Sequence, residues 1–173
     1  MTKKGTRKNM KSRKRRSSRT AWIVAIAVIA AGVIFLSTMP EKASVATASP
    51  VEFTDVRSET ARFIEYNNSL ELTAEQEAIK KEALTRIPAP CCSDNTAYTC
   101  CCPCNMAKTW WGLSNHLIAD EGYGADEVQA AVEKWIAYIN PDGFSGKACY
   151  IGRCSKPFAK NGCGGMNETE LIF

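Results

Sequence analysis

The chain has 173 residues, with 22 Lys and Arg against 18 Asp and Glu, for a formal charge of +4. That excess is local: residues 1–20 carry ten basic side chains and no acid, so everything after them is net acidic. Phosphate contacts need clustered Lys and Arg, which argues against nucleic-acid binding by the acidic remainder, and the length leaves room for one domain.

Taken in chain order, the basic tail is followed by residues 21–39, an uncharged run of AWIVAIAVIAAGVIFLSTM. As a helix at 1.5 Å per residue it would span about 28 Å, close to the hydrocarbon thickness of a bilayer. The positive charges precede this run and the first acid, Glu41, follows it. The positive-inside rule therefore puts residues 1–20 in the cytoplasm and the rest outside it, on a single-pass anchor in the cell membrane. Ala46-Thr47-Ala48 offers the alternative of a cleaved signal peptide, but it lies well past the apolar run and favours an uncleaved anchor. Arg15-Arg16 is a weak match to a twin-arginine signal, because Ser17, Ser18 and Arg19 follow it. The tail itself suits topology and contact with anionic lipid.

Residues 40–56, rich in Ser, Thr and Ala with Pro40 and Pro50, read as an extended linker, which leaves residues 57–173 as the extracytoplasmic domain. A first helix of poor periodicity is predicted over 58–66. A second follows the capping box of Thr73 and Gln76, with Ile79, Ala83, Leu84 and Ile87 on one face, and Pro88 and Pro90 end it. Over 103–119, Met106, Trp110, Leu113 and Leu117 make an apolar stripe. Gly122 and Gly124 break that helix, and Val128, Ala131, Val132, Trp135, Ile136 and Ile139 stripe another over 125–139. Two such helices joined by a glycine turn predict an αα-hairpin whose tryptophans belong to the core. From Pro141 onward the pattern is irregular, with glycines interleaved among Cys149, Cys154 and Cys163. The fold expected is mainly α: an N-terminal transmembrane helix, then a small helical domain with an αα-hairpin and a Cys/Gly-rich irregular C-terminal segment.

Nine cysteines against one histidine set the chemistry. An odd count means that disulfides alone cannot use every thiol. Pro103 suits the first position of a helix, which puts Cys102 at the N-cap and Cys104 in the first turn; there the helix dipole should lower the thiol pKa values of Cys101, Cys102 and Cys104. Cys100-x-Cys102-x-Cys104, with Cys91 and Cys92 upstream, suits a soft cation, Cu(I) or Zn(II). On that reading Cys91, Cys92, Cys100, Cys102 and Cys104 are the metal ligands, and Cys149, Cys154 and Cys163 are further ligands or disulfide partners. A second reading takes Cys101-Cys102-Pro103-Cys104 as a Cys-x-x-Cys redox centre, making the domain a thiol–disulfide oxidoreductase that uses Cys101 and Cys104. A third makes it a disulfide-stapled interaction module without chemistry. His116 would lie about 18 Å along the helix from Cys104, too far to share its metal, and reads as structural. No Ser/His/Asp arrangement, phosphate-cradling loop or paired carboxylate supports hydrolase or nucleotide chemistry.

Ile87-Pro88 leading to Cys100-x-Cys102-x-Cys104, then a helical hairpin and a further cysteine pair, resembles the membrane-anchored bacterial proteins named for a PCYCGC motif. The resemblance covers roughly residues 80–155. It departs from the motif at Thr99, where the motif has proline, at Cys101, where it has tyrosine, and at Pro103, where it has glycine. It implies a membrane location and a cysteine-centred site, without an activity. A fainter similarity is to the thiol-reductase subunit of cytochrome c maturation, whose Cys-x-x-Cys precedes a helical hairpin with a turn like Glu121-Gly122. It implies Cys101 and Cys104 as the redox pair.

Overall fold

The computed structural model describes residues 51–173. The basic tail, the expected membrane helix 21–39 and residues 40–50 lie outside the described residues. Among those described, no helix is long and apolar enough to cross a membrane. Four helices follow one another, α1 (Val56–Ser69), α2 (Ala74–Thr85), α3 (Asn105–Ala119) and α4 (Ala125–Ile139), with two short 3-10 turns, Arg153–Ser155 and Phe158–Lys160, in the C-terminal segment. The described residues hold no strand, only one isolated antiparallel bridge between Pro88 and Thr96.

Local chemistry accounts for the helix ends. The Asp55 side chain accepts from Ser58 N at 2.7 Å and starts α1 two residues earlier than its weak periodicity predicts. At α2 the predicted capping box forms in full: Thr73 Oγ1 accepts from Gln76 N and Gln76 Oε1 from Thr73 N. Gly122, at φ 71°, makes the left-handed turn between α3 and α4. The Glu127 carboxylate then accepts from Gly124 N at 2.9 Å, closing the first turn of α4.

Trp110 and Trp135 are both fully buried, as the stripes predict. Trp135 Nε1 donates to Thr109 Oγ1 at 2.9 Å, so the hairpin is joined by a buried hydrogen bond as well as by packing. Phe53, expected in the linker, instead packs at 5.0 Å centroid distance on Trp135 and at 6.1 Å on Phe63 of α1. An aromatic ring of that size buries too much apolar surface to remain in solvent when a cleft accepts it.

The loop that bears the first cysteines is held against the hairpin from two sides. Ala89 N donates to Asn95 O and Ala97 N to Ile87 O, at 2.9 and 2.8 Å, folding residues 87–97 back on themselves with Cys91 and Cys92 near the tip. The Ala97 carbonyl in turn accepts two indole N–H groups, from Trp110 at 3.0 Å and Trp111 at 2.8 Å. Helix α3 thereby anchors a loop whose Ala89, Cys91, Cys92 and Ala97 are themselves buried in the core.

Candidate metal centre

All nine cysteines lie among the described residues, and all are free thiols. The structure divides most of them into two groups, a shallow one at the surface and a deep one in the core.

Cys101, Cys102 and Cys149 form the shallow group: their sulfurs all lie within 4.8 Å of one another. The Cys101–Cys102 and Cys102–Cys149 separations are both 3.6 Å. Zinc–thiolate bonds of about 2.3 Å place tetrahedral ligands about 3.8 Å apart, so these sulfurs already sit near the spacing one ion requires. A disulfide, at about 2.05 Å, would need them much closer. Cys101 is exposed and the other two are half-buried, which leaves one side of the triad open. Cys149 reaches the group because its N–H donates to Cys91 O at 2.9 Å, and the neighbouring Ser93 N–H to Gly146 O at 2.8 Å.

Cys92 flanks the triad from the loop. Its sulfur meets the Tyr150 hydroxyl at 3.3 Å and accepts from Asn95 Nδ2 at 3.2 Å, and these two bonds lower its pKa by favouring the thiolate. The same Tyr150 hydroxyl lies 2.6 Å from Asp94 Oδ2, so the carboxylate and the Cys92 sulfur compete for its one hydrogen.

Cys91, Cys100, Cys104 and Cys163 form the deep group. The Cys91 thiol keeps its hydrogen among the sulfurs of Cys100, Cys104 and Cys163, any one of which can accept it, and its pKa is raised by these contacts and by burial, which disfavours its charge. Cys104 is the N-cap of α3. Its thiol is held well below the ordinary range by the thiols of Cys163 and Cys91, with the nearby amides of Ala107 and Met106 adding to the effect. Cys163 is pushed up by giving its hydrogen to Cys104. The Cys100 thiol is lowered by Cys91.

This partition corrects the sequence reading in three respects. Pro103 precedes α3 instead of opening it, because Cys104, in extended conformation at φ -75° and ψ 165°, is the cap. Asn105 N and Met106 N at the helix start donate to Gly165 O at 2.9 Å and Cys163 O at 3.1 Å, so the C-terminal loop satisfies the amides that a side-chain cap would have taken. Second, only Cys104 of the three thiols expected to be lowered by the helix start is so. Cys101 is raised to about 11 by donating to Cys102, with burial and neighbouring thiols adding to the effect. At Cys102 the bond from Cys101 lowers the pKa, but the bond to Cys149, burial and the surrounding thiolates outweigh it and the net shift is upward. Third, the set Cys91, Cys92, Cys100, Cys102 and Cys104 is not one cluster: Cys102 joins Cys101 and Cys149, Cys91, Cys100 and Cys104 join Cys163, and Cys92 stands beside the triad. The proposed redox pair is divided in the same way, with Cys101 among the shallow thiols and Cys104 among the deep ones.

Cys154 stays at the margin, its carbonyl accepting from Gly165 N at 2.8 Å. His116, off both groups, stacks on Tyr66 at 4.5 Å and pairs its Nδ1 with Asp120 Oδ2 at 2.7 Å, which agrees with a structural role.

No family model matches this chain, and neither a curated protein nor a solved structure does.

Proposed function

We propose that this chain is a membrane-anchored, extracytoplasmic cysteine-rich module that binds a soft metal ion, Cu(I) or Zn(II), through Cys101, Cys102 and Cys149. The observation that carries the reading is the convergence of these three sulfurs within 4.8 Å. Thiolate is the preferred ligand of both ions, and three thiolates suit Cu(I) directly or Zn(II) with an outside ligand in the fourth position. The exposed side at Cys101 is where a donor or acceptor thiol would reach the ion, so the site suits metal handling more than permanent storage. Cys92, whose thiol pKa is lowered by Tyr150 and Asn95, is the neighbour best placed to take part in such an exchange.

The test is elemental analysis and chelator competition on full-length protein purified under reducing conditions. Cys102→Ser and Cys149→Ser should each weaken Cu(I) binding at the triad by more than about 100-fold, since even outer contacts of metal ligands are worth 10–100-fold. Unchanged affinity in both variants would reject the triad. A metal-free protein that resists loading and reduces a disulfide substrate in a Cys101-dependent manner would put the oxidoreductase in its place.

A further inference from the structure

Charge is divided unevenly over the described residues. Residues 51–142 carry seven Lys and Arg against fifteen Asp and Glu, whereas residues 143–167 carry Lys147, Arg153, Lys156 and Lys160 and no acid. Among the described residues none of these four is in an ion pair, although Arg62, Arg86, Lys108 and Lys134 all are. Lys147, Lys156 and Lys160 are exposed and Arg153 is half-buried. The same segment supplies Cys149 to the triad, its sulfur 3.6 Å from that of Cys102. Backbone bonds keep the charges near that ligand: Ile151 N donates to Lys147 O at 3.2 Å, Arg153 N to Ala148 O at 3.0 Å and Lys156 N to Arg153 O at 3.1 Å. Asp94 reaches this segment from the loop, where the Tyr150 hydroxyl engages it at 2.6 Å, and one acid does not cancel four bases. The apolar exposure falls in the same place. Tyr150 and Ile151, the two residues after Cys149, are 60% and 58% exposed, and Met166 is the third large apolar side chain that the described residues leave in solvent.

We propose that this segment is the docking face for an acidic protein that exchanges metal with the triad, a partner that presents cysteine thiolates among Asp and Glu beside an apolar side chain. The inference rests on the triad reading and names the partner of that site. Cu(I) or Zn(II) held by three thiolates is net negative, so an incoming thiolate is repelled by the centre it must reach. Unpaired cations around Cys149 offset that repulsion, and complementary charge steers the encounter. Tyr150 and Ile151 then give the docked partner an apolar contact at the edge of the site, where an exposed aromatic is the side chain an interface uses best. A second copy of this chain, meeting triad to triad, would set the same four cations against each other, so exchange between copies is disfavoured. A lipid surface matches the charge but supplies no thiolate. In the transfer each metal–sulfur bond made to the partner replaces one to the triad, the partner's thiols release protons that the vacated cysteines take up, and the metal keeps its oxidation state.

The test loads the full chain, reduced and in neutral detergent, with Cu(I) and follows transfer to two synthetic peptides with the same cysteine and leucine positions, one flanked by Glu and the other by Lys. Transfer to the acidic peptide should be at least about tenfold faster at low salt, and the ratio should fall towards one as ionic strength rises. Lys147→Glu/Lys156→Glu, at two exposed positions, should reduce or invert that ratio, which is read within one protein and is therefore independent of its metal affinity. Ile151→Ser should slow both peptides and keep their ratio, and an unslowed variant overturns the apolar contact. Equal rates for the two peptides, or a preference that salt leaves unchanged, overturns the docking face. Chelator competition on the same wild-type sample reports the triad separately: a chain that binds no Cu(I) there removes the proposed function, whereas a chain that binds it without charge preference removes this inference alone. If phosphatidylglycerol added to the micelles slows both peptides alike, lipid occupies the face and the protein partner is overturned.

Discussion

At the residue scale, Cys101 and Cys104 are three positions apart and electrostatically opposite. Cys104 has thiol donors on two sides and the start of α3 behind it, so its thiolate is favoured. Cys101 has instead to share its hydrogen with Cys102 among other thiols, and is raised. The sequence predicts one behaviour for both because it weighs only distance along the chain from a helix start. A second residue-scale contact ties α3 to the C-terminal segment. Lys108 of α3 reaches Glu168 at 2.7 Å, and this hydrogen bond, followed by one from Asn68, lowers the Glu168 pKa. A carboxylate whose pKa is depressed on folding contributes stability above its unfolded pKa, and that contribution is lost as pH falls through the folded value. Glu168→Gln should therefore cost under about 1 kcal/mol near pH 7, as half-exposed pairs do. The difference from wild type should shrink to nothing well below pH 4, where the wild-type carboxyl is protonated too. Denaturant unfolding of both proteins at the two pH values checks it, and a cost independent of pH would mean that the ion pair is idle.

At the element scale, α1 and α3 cross where Gly112 leaves no room. An added Cβ there would lie 1.7 Å from the Phe63 carbonyl oxygen and 2.7 Å from Asn67 N, both backbone atoms of α1. Two effects oppose each other in Gly112→Ala. Helix propensity favours alanine by about 1 kcal/mol, whereas the clash forces two helices apart and costs about 1–3 kcal/mol or more. The contact should win, because backbone cannot swing aside as a side chain can. Net destabilisation in thermal or denaturant unfolding is the expected result, and a more stable variant would show that the helices do not meet there. Trp135→Ala removes a fully buried ring that also satisfies Thr109, and should cost about 3–5 kcal/mol. The hairpin of α3 and α4 was legible because its stripes are long and regular, and α2 because its cap is written in two residues. Gly112 was not, since a glycine inside a helical pattern does not say which neighbour approaches it. Phe53 was hidden by the Ser, Thr and Ala around it, which give its segment the composition of a linker.

At the scale of the whole molecule, the sequence made the cysteine chemistry legible but not its arithmetic. Counting thiols between 91 and 104 suggests one dense centre, whereas the folded chain draws Cys149 into one group and Cys163 into another from a segment with no periodicity to read. That segment takes its shape from left-handed turns at Gly152, Asn161, Gly164 and Gly165 and from carbonyls offered to the start of α3, features of three-dimensional closure that no local pattern encodes. Where the domain sits in the cell is a separate question, carried by residues 1–39. Ten basic side chains ahead of an uncharged run, with the first acid after it, favour a cytoplasmic tail and an external cysteine domain. The full chain should then stay with the membrane fraction through alkaline extraction, and protease added to intact spheroplasts should digest residues 57–173 while sparing the tail. The outcome also bears on the metal chemistry, because an external domain must keep its thiols from oxidising. Occupied thiolate sites would resist a thiol-blocking reagent added from outside, and chelation beforehand should expose them. Protection of the domain from protease in sealed spheroplasts would reverse the orientation and place both thiol groups in a reducing compartment.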